Sequence, residues 1–116
     1  MSQNPTTAYK ILSVADWQSL VAKTAYAGSP VDLADGYIHL SADDQLAVTA
    51  AKYYSGQSDL MLVEVDLTQM GDELIWEASR GGALFPHIYG PLLLSATRTA
   101  RPLSVTLEGE MILGEP

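Results

Sequence analysis

The 116-residue chain contains no cysteine. Disulfides, thiolate nucleophiles and cysteine-ligated zinc are therefore excluded. Basic side chains are scarce, 6 Lys and Arg against 14 Asp and Glu, giving a formal charge of −8. A field of that sign repels phosphate backbones, so no nucleic-acid partner is expected. It does not exclude a small anionic ligand, because a local nest of backbone N–H groups can hold one. No run approaches the ~18 apolar residues of a membrane-spanning helix, and no membrane partner is expected. A basic segment followed by an apolar one, the mark of a secretory signal, is also missing at the start. Cytoplasmic location is the expectation from these absences. With no internal repeat or linker, the chain reads as one domain over residues 1–116, with 1–6 and 114–116 flexible.

What is present is a chain with 47% hydrophobic residues, enough for a core. Residues 8–12 read as a first strand. Ser13 is a helix N-cap, with Asp16 three residues on, and Trp17, Leu20 and Val21 form one apolar stripe behind it. Gly28-Ser29-Pro30 is expected to end that helix, and residues 31–36 to form a loop. Residues 37–41 read as a second strand. Ser41 caps the next helix in this reading, with Asp44 at N3, a run to about Ser55 and Gly56 just past its end. Its inner face is expected to carry Leu46, Ala47, Ala50, Ala51 and Tyr54. Residues 60–67 and 73–79 read as strands, and Arg80-Gly81-Gly82 breaks the second. Later strands are expected at 92–99, 103–107 and 110–113. The order β, α, β, α and then a run of strands predicts an α+β fold with a mixed or antiparallel sheet and two main helices at its side.

Both histidines lie in short apolar segments. In Tyr37-Ile38-His39-Leu40-Ser41, strand alternation puts Ile38 and Leu40 on one face and Tyr37, His39 and Ser41 on the other. The segment Phe85-Pro86-His87-Ile88-Tyr89-Gly90-Pro91 reads as a stiff, proline-bounded loop with His87 and Tyr89 on one side. Histidine can act as donor, acceptor, base or ligand near neutral pH, or can sit buried against one carbonyl. Glu77 follows Trp76, and a carboxylate beside an indole in a partly dry site would have a raised pKa, fit for a general acid or base. A strand-end acid facing solvent, or one paired with Arg80, is the plainer alternative. Gln45 falls near Ser41 as an amide donor or a surface residue. Arg80-Gly81-Gly82 could form an anion nest or only a turn. No serine triad is visible, since the G-x-S-x-G pattern is missing. The two histidines and Glu77 come from separate elements without metal-ligand spacing, so no metal is expected.

Gly36-Tyr37-Ile38-His39-Leu40-Ser41 with Gln45, residues 59–66, Trp76-Glu77 and residues 85–91 resemble a bacterial family catalogued as domain of unknown function nine-five-two. The resemblance runs from Tyr9 to about Pro102. It implies a fold similar to that of ADP-ribosyltransferases, a split antiparallel sheet with helices at the side. Those enzymes bind NAD in the cleft of the split sheet, so NAD is the cofactor the resemblance implies. They carry a histidine on the first strand, an aromatic-x-Ser/Thr element and a catalytic glutamate. Here the first strand offers Tyr9-Lys10, His39-Leu40-Ser41 is similar to the second element, and Glu77 to the acid.

The expectation is a pocket for a nucleotide-like or phosphorylated small molecule, with glycosyl or ADP-ribosyl transfer as its chemistry. Glu77 and His39 are the candidate catalytic residues. Tyr37, Ser41, Gln45, His87 and Tyr89 are the candidate ligand-binding residues. The alternative is a binding module that keeps the cleft without the chemistry.

Overall fold

Two-residue alternation along the strands decides which side chains meet in the core and which line a cleft. The computed structural model describes residues 5–78 and 82–115. Along it run β1 (Thr7–Ser13), α1 (Val14–Lys23), β2 (Ala25–Tyr26), α2 (Pro30–Asp35), β3 (Ile38–His39) and α3 (Leu46–Tyr54). They are followed by β4 (Leu60–Asp66), β5 (Leu74–Ala78), β6 (Leu84–Ile88), β7 (Leu92–Leu93), β8 (Thr97–Val105) and β9 (Met111–Leu113). The strands form a four-stranded sheet in the order β1-β4-β8-β9, a three-stranded sheet β3-β6-β5 and a small pair β2-β7. Every pairing is antiparallel. Among the described residues no helix is long and apolar enough to cross a membrane.

The four-stranded sheet is apolar on both sides. Val63 and Val65 of β4 join Ala8, Leu12, Leu20, Ile38, Ile88 and Leu92 in one core. Leu60 and Leu62, one step out of phase, pack with Ile11, Leu46, Ala50, Leu103 and Val105 beneath α3 in a second. Trp17 and Trp76 are partly buried against the first core. Of the expected inner face of α3, Leu46 and Ala50 are buried and Tyr54 half-buried, while Ala47 and Ala51 are exposed.

Ser13 caps α1 as expected, its hydroxyl accepting the Asp16 N–H at 3.0 Å. The helix stops earlier than Gly28, because Thr24 turns left-handed at φ 60° and leads into β2. Residues 31–36, expected as a loop, lie largely in α2. Ser29 and Asp32 form a reciprocal capping box there, with Pro30 in the first turn.

Ser41 does not cap α3. Its backbone exchanges two bonds with Tyr9, at 2.8 and 2.9 Å, and a turn closed by Gln45 N–H to Ala42 C=O precedes the helix. Of the segment expected as a loop over residues 85–91, residues 85–88 lie in strand β6, which is flanked on both sides, and residues 89–91 connect it to β7. Pro86 fits an inner strand because its carbonyl still accepts the Leu40 N–H at 3.1 Å. The late strands are also redistributed. Residues 94–96 make a 3₁₀ turn, and β8 runs unbroken through Pro102, whose carbonyl accepts the Gly114 N–H.

The Tyr9–Ser41 bridge is an isolated contact between the two larger sheets. The antiparallel direction that puts Tyr9 opposite Ser41 puts Lys10 and Ile11 opposite Leu40 and His39. There β1 pairs with β4 and β3 with β6, so the two sheets part beside His39.

Candidate functional site

Where the sheets part lies a cavity of about 570 Å³. Its polar wall is one face of the three-stranded sheet. His39 pairs with His87, and His87 with Ile75, across that sheet, while Ile38, Ile88 and Leu74 form the adjacent row that points into the core. Tyr37, His39, Ser41 and His87 all line the cavity.

The rings of this face touch one another. Tyr37 stacks on His87 with centroids 4.1 Å apart, and lies 4.7 Å from His39 and 5.1 Å from Tyr89. His39 and His87 meet edge to face at 5.4 Å. Glu77 stands beside this cluster, accepting from the Tyr89 hydroxyl at 2.7 Å and lying 2.8 Å from His87 Nδ1. A carboxylate at Nδ1 draws the proton of a neutral ring to that nitrogen and leaves Nε2 as the acceptor. His87 is buried, at 3% exposure, so this arrangement fixes its ring.

The expectation of a raised Glu77 pKa is corrected. The bond with His87, then that from Tyr89, holds its carboxyl below the ordinary value. The physical reason is strand parity. Trp76 points to the opposite face and packs on the core, so the indole does not dry the carboxylate. Donating to Glu77 in turn pushes the Tyr89 hydroxyl up to about 12. Burial, followed by the charges of Asp35 and Glu77, also raises the Tyr37 hydroxyl. Pairing of Glu77 with Arg80, and the Arg80-Gly81 part of the supposed nest, fall on residues 79–81, outside the described residues.

Three residues that matter here were not singled out as site residues from the sequence. Asp32 is 2% exposed, and its carboxylate lies 3.1 and 2.9 Å from the Lys10 ammonium, which is itself 7% exposed. Oδ1 also accepts the His39 backbone N–H at 3.1 Å and lies 2.6 Å from His39 Nδ1, while Oδ2 accepts the Ser29 N–H. Asp35, one helical turn along, reaches His39 Nε2 at 2.9 Å. His39 is thus held at both ring nitrogens. Burial pushes the Asp32 carboxyl up, but Lys10, His39 and the Ser29 N–H outweigh it and hold it below the ordinary value. Burial pulls the Lys10 ammonium down, against the opposing attraction of Asp32.

Gly28 makes this packing possible. Its φ of +124° suits glycine, and a Cβ there would come within 2.8 Å of the Asp32 Cβ. The available sequence signals were the Ser29-Pro30-x-Asp32 capping pattern and a lysine inside the apolar first strand.

The remaining candidates have other partners. Gln45 accepts the Ala42 N–H at 2.9 Å and donates to the Leu84 carbonyl at 2.7 Å, tying the entry of α3 to β6. The Ser41 hydroxyl pairs with that of Thr49 at 2.9 Å. Among the described residues no buried side-chain polar atom lacks a partner, and no three acidic or imidazole side chains converge as a metal-binding group.

Comparison with known proteins agrees with this architecture. The crystal structure of protein CC0527 from Caulobacter crescentus superimposes with a TM-score of 0.87 at 48% identity, covering 92% of this chain and 94% of that one. A solution structure of the same protein gives a TM-score of 0.79 at 50% identity, covering 90% of each chain. No curated protein matches the chain. The sequence profile described as "protein of unknown function (DUF952)" matches residues 11–100, and the chain belongs to that family.

Proposed function

We propose that the cleft binds a nucleotide-like small molecule and carries out a glycosyl- or ADP-ribosyl-type transfer on it. One observation supports the reading most. His39 and His87 stand 5.4 Å apart beside a cavity of about 570 Å³, each with a carboxylate on Nδ1. Paired titratable groups in a partly apolar cleft are the usual mark of acid–base chemistry.

In such a transfer the bond from the ribose anomeric carbon to its leaving group breaks, and the electron pair departs with that group. A bond forms from the anomeric carbon to an acceptor oxygen, whose proton passes to Nε2 of His87. Glu77 keeps the opposite Nδ1–H in place and supports the charged ring. This moves the base from Glu77, whose depressed carboxyl suits an orienting role, to its partner. His39, held at both ring nitrogens, orients Asp35 toward the ligand, Ser41 hydrogen-bonds it, Tyr37 stacks on it, and Tyr89 holds Glu77.

Likeness to ADP-ribosyltransferases belongs to the same proposal. It is supported by a cleft at the join of two antiparallel sheets. The first strand offers Tyr9-Lys10, with Lys10 salt-bridged to Asp32, where the likeness would put a histidine. NAD is therefore one probe among several.

A second reading, a binding module without turnover, is favoured by the clamping of His39 at both ring nitrogens.

A thermal-shift screen against nucleosides, nucleotides, NAD and sugar phosphates, followed by product analysis, tests both. A ligand at 100 times its Kd adds ~2.7 kcal/mol of stability. Transfer predicts that Glu77→Gln keeps fold and affinity but lowers turnover by roughly 10²–10⁴. Binding without product in the wild type supports the module. No shift with any probe overturns both.

A further inference from the structure

We infer that the cavity recognises an uncharged or cationic ring carrying N–H donors, a nucleobase-like heterocycle, and leaves any phosphate at or beyond its rim. This rests on the small-molecule reading above and narrows it.

The charges decide the matter. Among the described residues, Lys10 is the one lysine or arginine lining the cavity, against the carboxylates of Asp32 and Asp35. The Lys10 ammonium lies within 3.1 Å of both Asp32 oxygens and is 7% exposed, so its charge is neutralised in place. The arginines among the described residues are engaged elsewhere. Arg98 pairs with Glu64 and Asp66, and Arg101 donates to the Gly114 carbonyl. Lys52 lies over the Tyr53 ring, 5.7 Å from its centroid, on an exposed position of α3 next to the cavity wall. Among the described residues, a phosphate that meets a lysine or arginine at this cleft free of a buried counter-charge therefore meets it at the rim. The protein's charge of −8 adds to the repulsion of anions from the interior.

The walls suit a flat ring. Tyr37 lines one side, and Tyr53 and Tyr54 of α3 line the cavity with it. Asp35 supplies the acceptor. It is 47% exposed, and its Oδ2 receives His39, but a carboxylate has about four lone-pair sites, so ring N–H groups can share it. A base stacked on Tyr37 with its N–H edge on Asp35 meets complementary groups on both counts.

Calorimetric titration of the full chain with four nucleosides, their 5′-monophosphates and inorganic phosphate tests this. The best nucleoside is expected to bind at least as tightly as its own monophosphate, and inorganic phosphate to give no heat of binding. Asp35→Asn, checked for folding by thermal melting, is expected to weaken the nucleoside by about tenfold. A monophosphate that binds about tenfold tighter than its nucleoside, or saturable binding of phosphate alone, overturns this inference and leaves the proposed function standing. So does a folded Asp35→Asn protein with unchanged nucleoside affinity. Absence of binding by every probe overturns the small-molecule reading, and this inference with it. The wild-type comparison decides between ring and phosphate even where the variant does not fold.

Discussion

In the four-stranded sheet β4 sends apolar side chains into a core on each face, whereas in the three-stranded sheet β6 sends Ile88 into a core on one face and lines the cavity with Phe85 and His87 on the other. The strands obey the same alternation, so the difference lies in composition. Leu60, Leu62, Val63 and Val65 serve two cores, one on each side of β4. Ile38, Ile88 and Leu74 serve a single core, and their neighbours are free to be polar because the split beside β1 opens that face to a cavity. One sheet carries stability, and the other uses stability supplied from behind to hold a polar cluster.

The comparison breaks most visibly at the buried ion pair that ties Lys10 of β1 to Asp32 of α2, which in turn holds His39 of β3. Asp32→Asn leaves the Lys10 ammonium buried without its counter-charge, and a loss of ~3–5 kcal/mol is expected in urea melts. Ile88→Ala, behind the polar face, is expected to cost ~2–5 kcal/mol because the residue is wholly buried. Trp17→Ala and Trp76→Ala should fall toward the lower part of their usual ~3–5 kcal/mol, since both indoles are only partly buried.

A smaller effect comes from pH. The carboxyls of Asp32 and Glu77 lie below their ordinary values of 3.8 and 4.5 in the folded state. Between folded and ordinary values the unfolded chain binds more protons, so stability rises with pH there. Their contribution is complete above the ordinary values and lost as pH falls through the folded ones. Denaturant melts from about pH 6 down to about pH 2 should show that fall, with Asp32→Asn flatter below its ordinary value.

Much of the scaffold was legible in the sequence, and most of what was missed has a local reason. The strands β1 and β4 and the Ser13 cap stood out because alternation and capping chemistry act over a few residues. Helix α2 did not, since it is six residues long and its Val31 and Leu33 are 64% and 63% exposed, leaving no apolar stripe to read. Strand β6 was hidden by Pro86, which loses a donor but keeps the acceptor that Leu40 uses. The convergence of Tyr37, His39, His87, Tyr89 and Glu77 could be anticipated from strand parity together with the family resemblance. Lys10, Asp32 and Asp35 could not, because their meeting depends on how α2 folds back over β1 and β3.

Under the proposed function a ligand contacts the polar face of the three-stranded sheet, while the inner strands β4 and β8 of the four-stranded sheet stay untouched. Backbone amide NMR during titration with the nucleoside that raises the melting temperature most tests it directly. Saturable shifts are expected at Tyr37, His39, His87 and Asp35, with Val63 and Leu103 unmoved. Shifts centred on the four-stranded sheet, or none at these four residues at saturation, would contradict it.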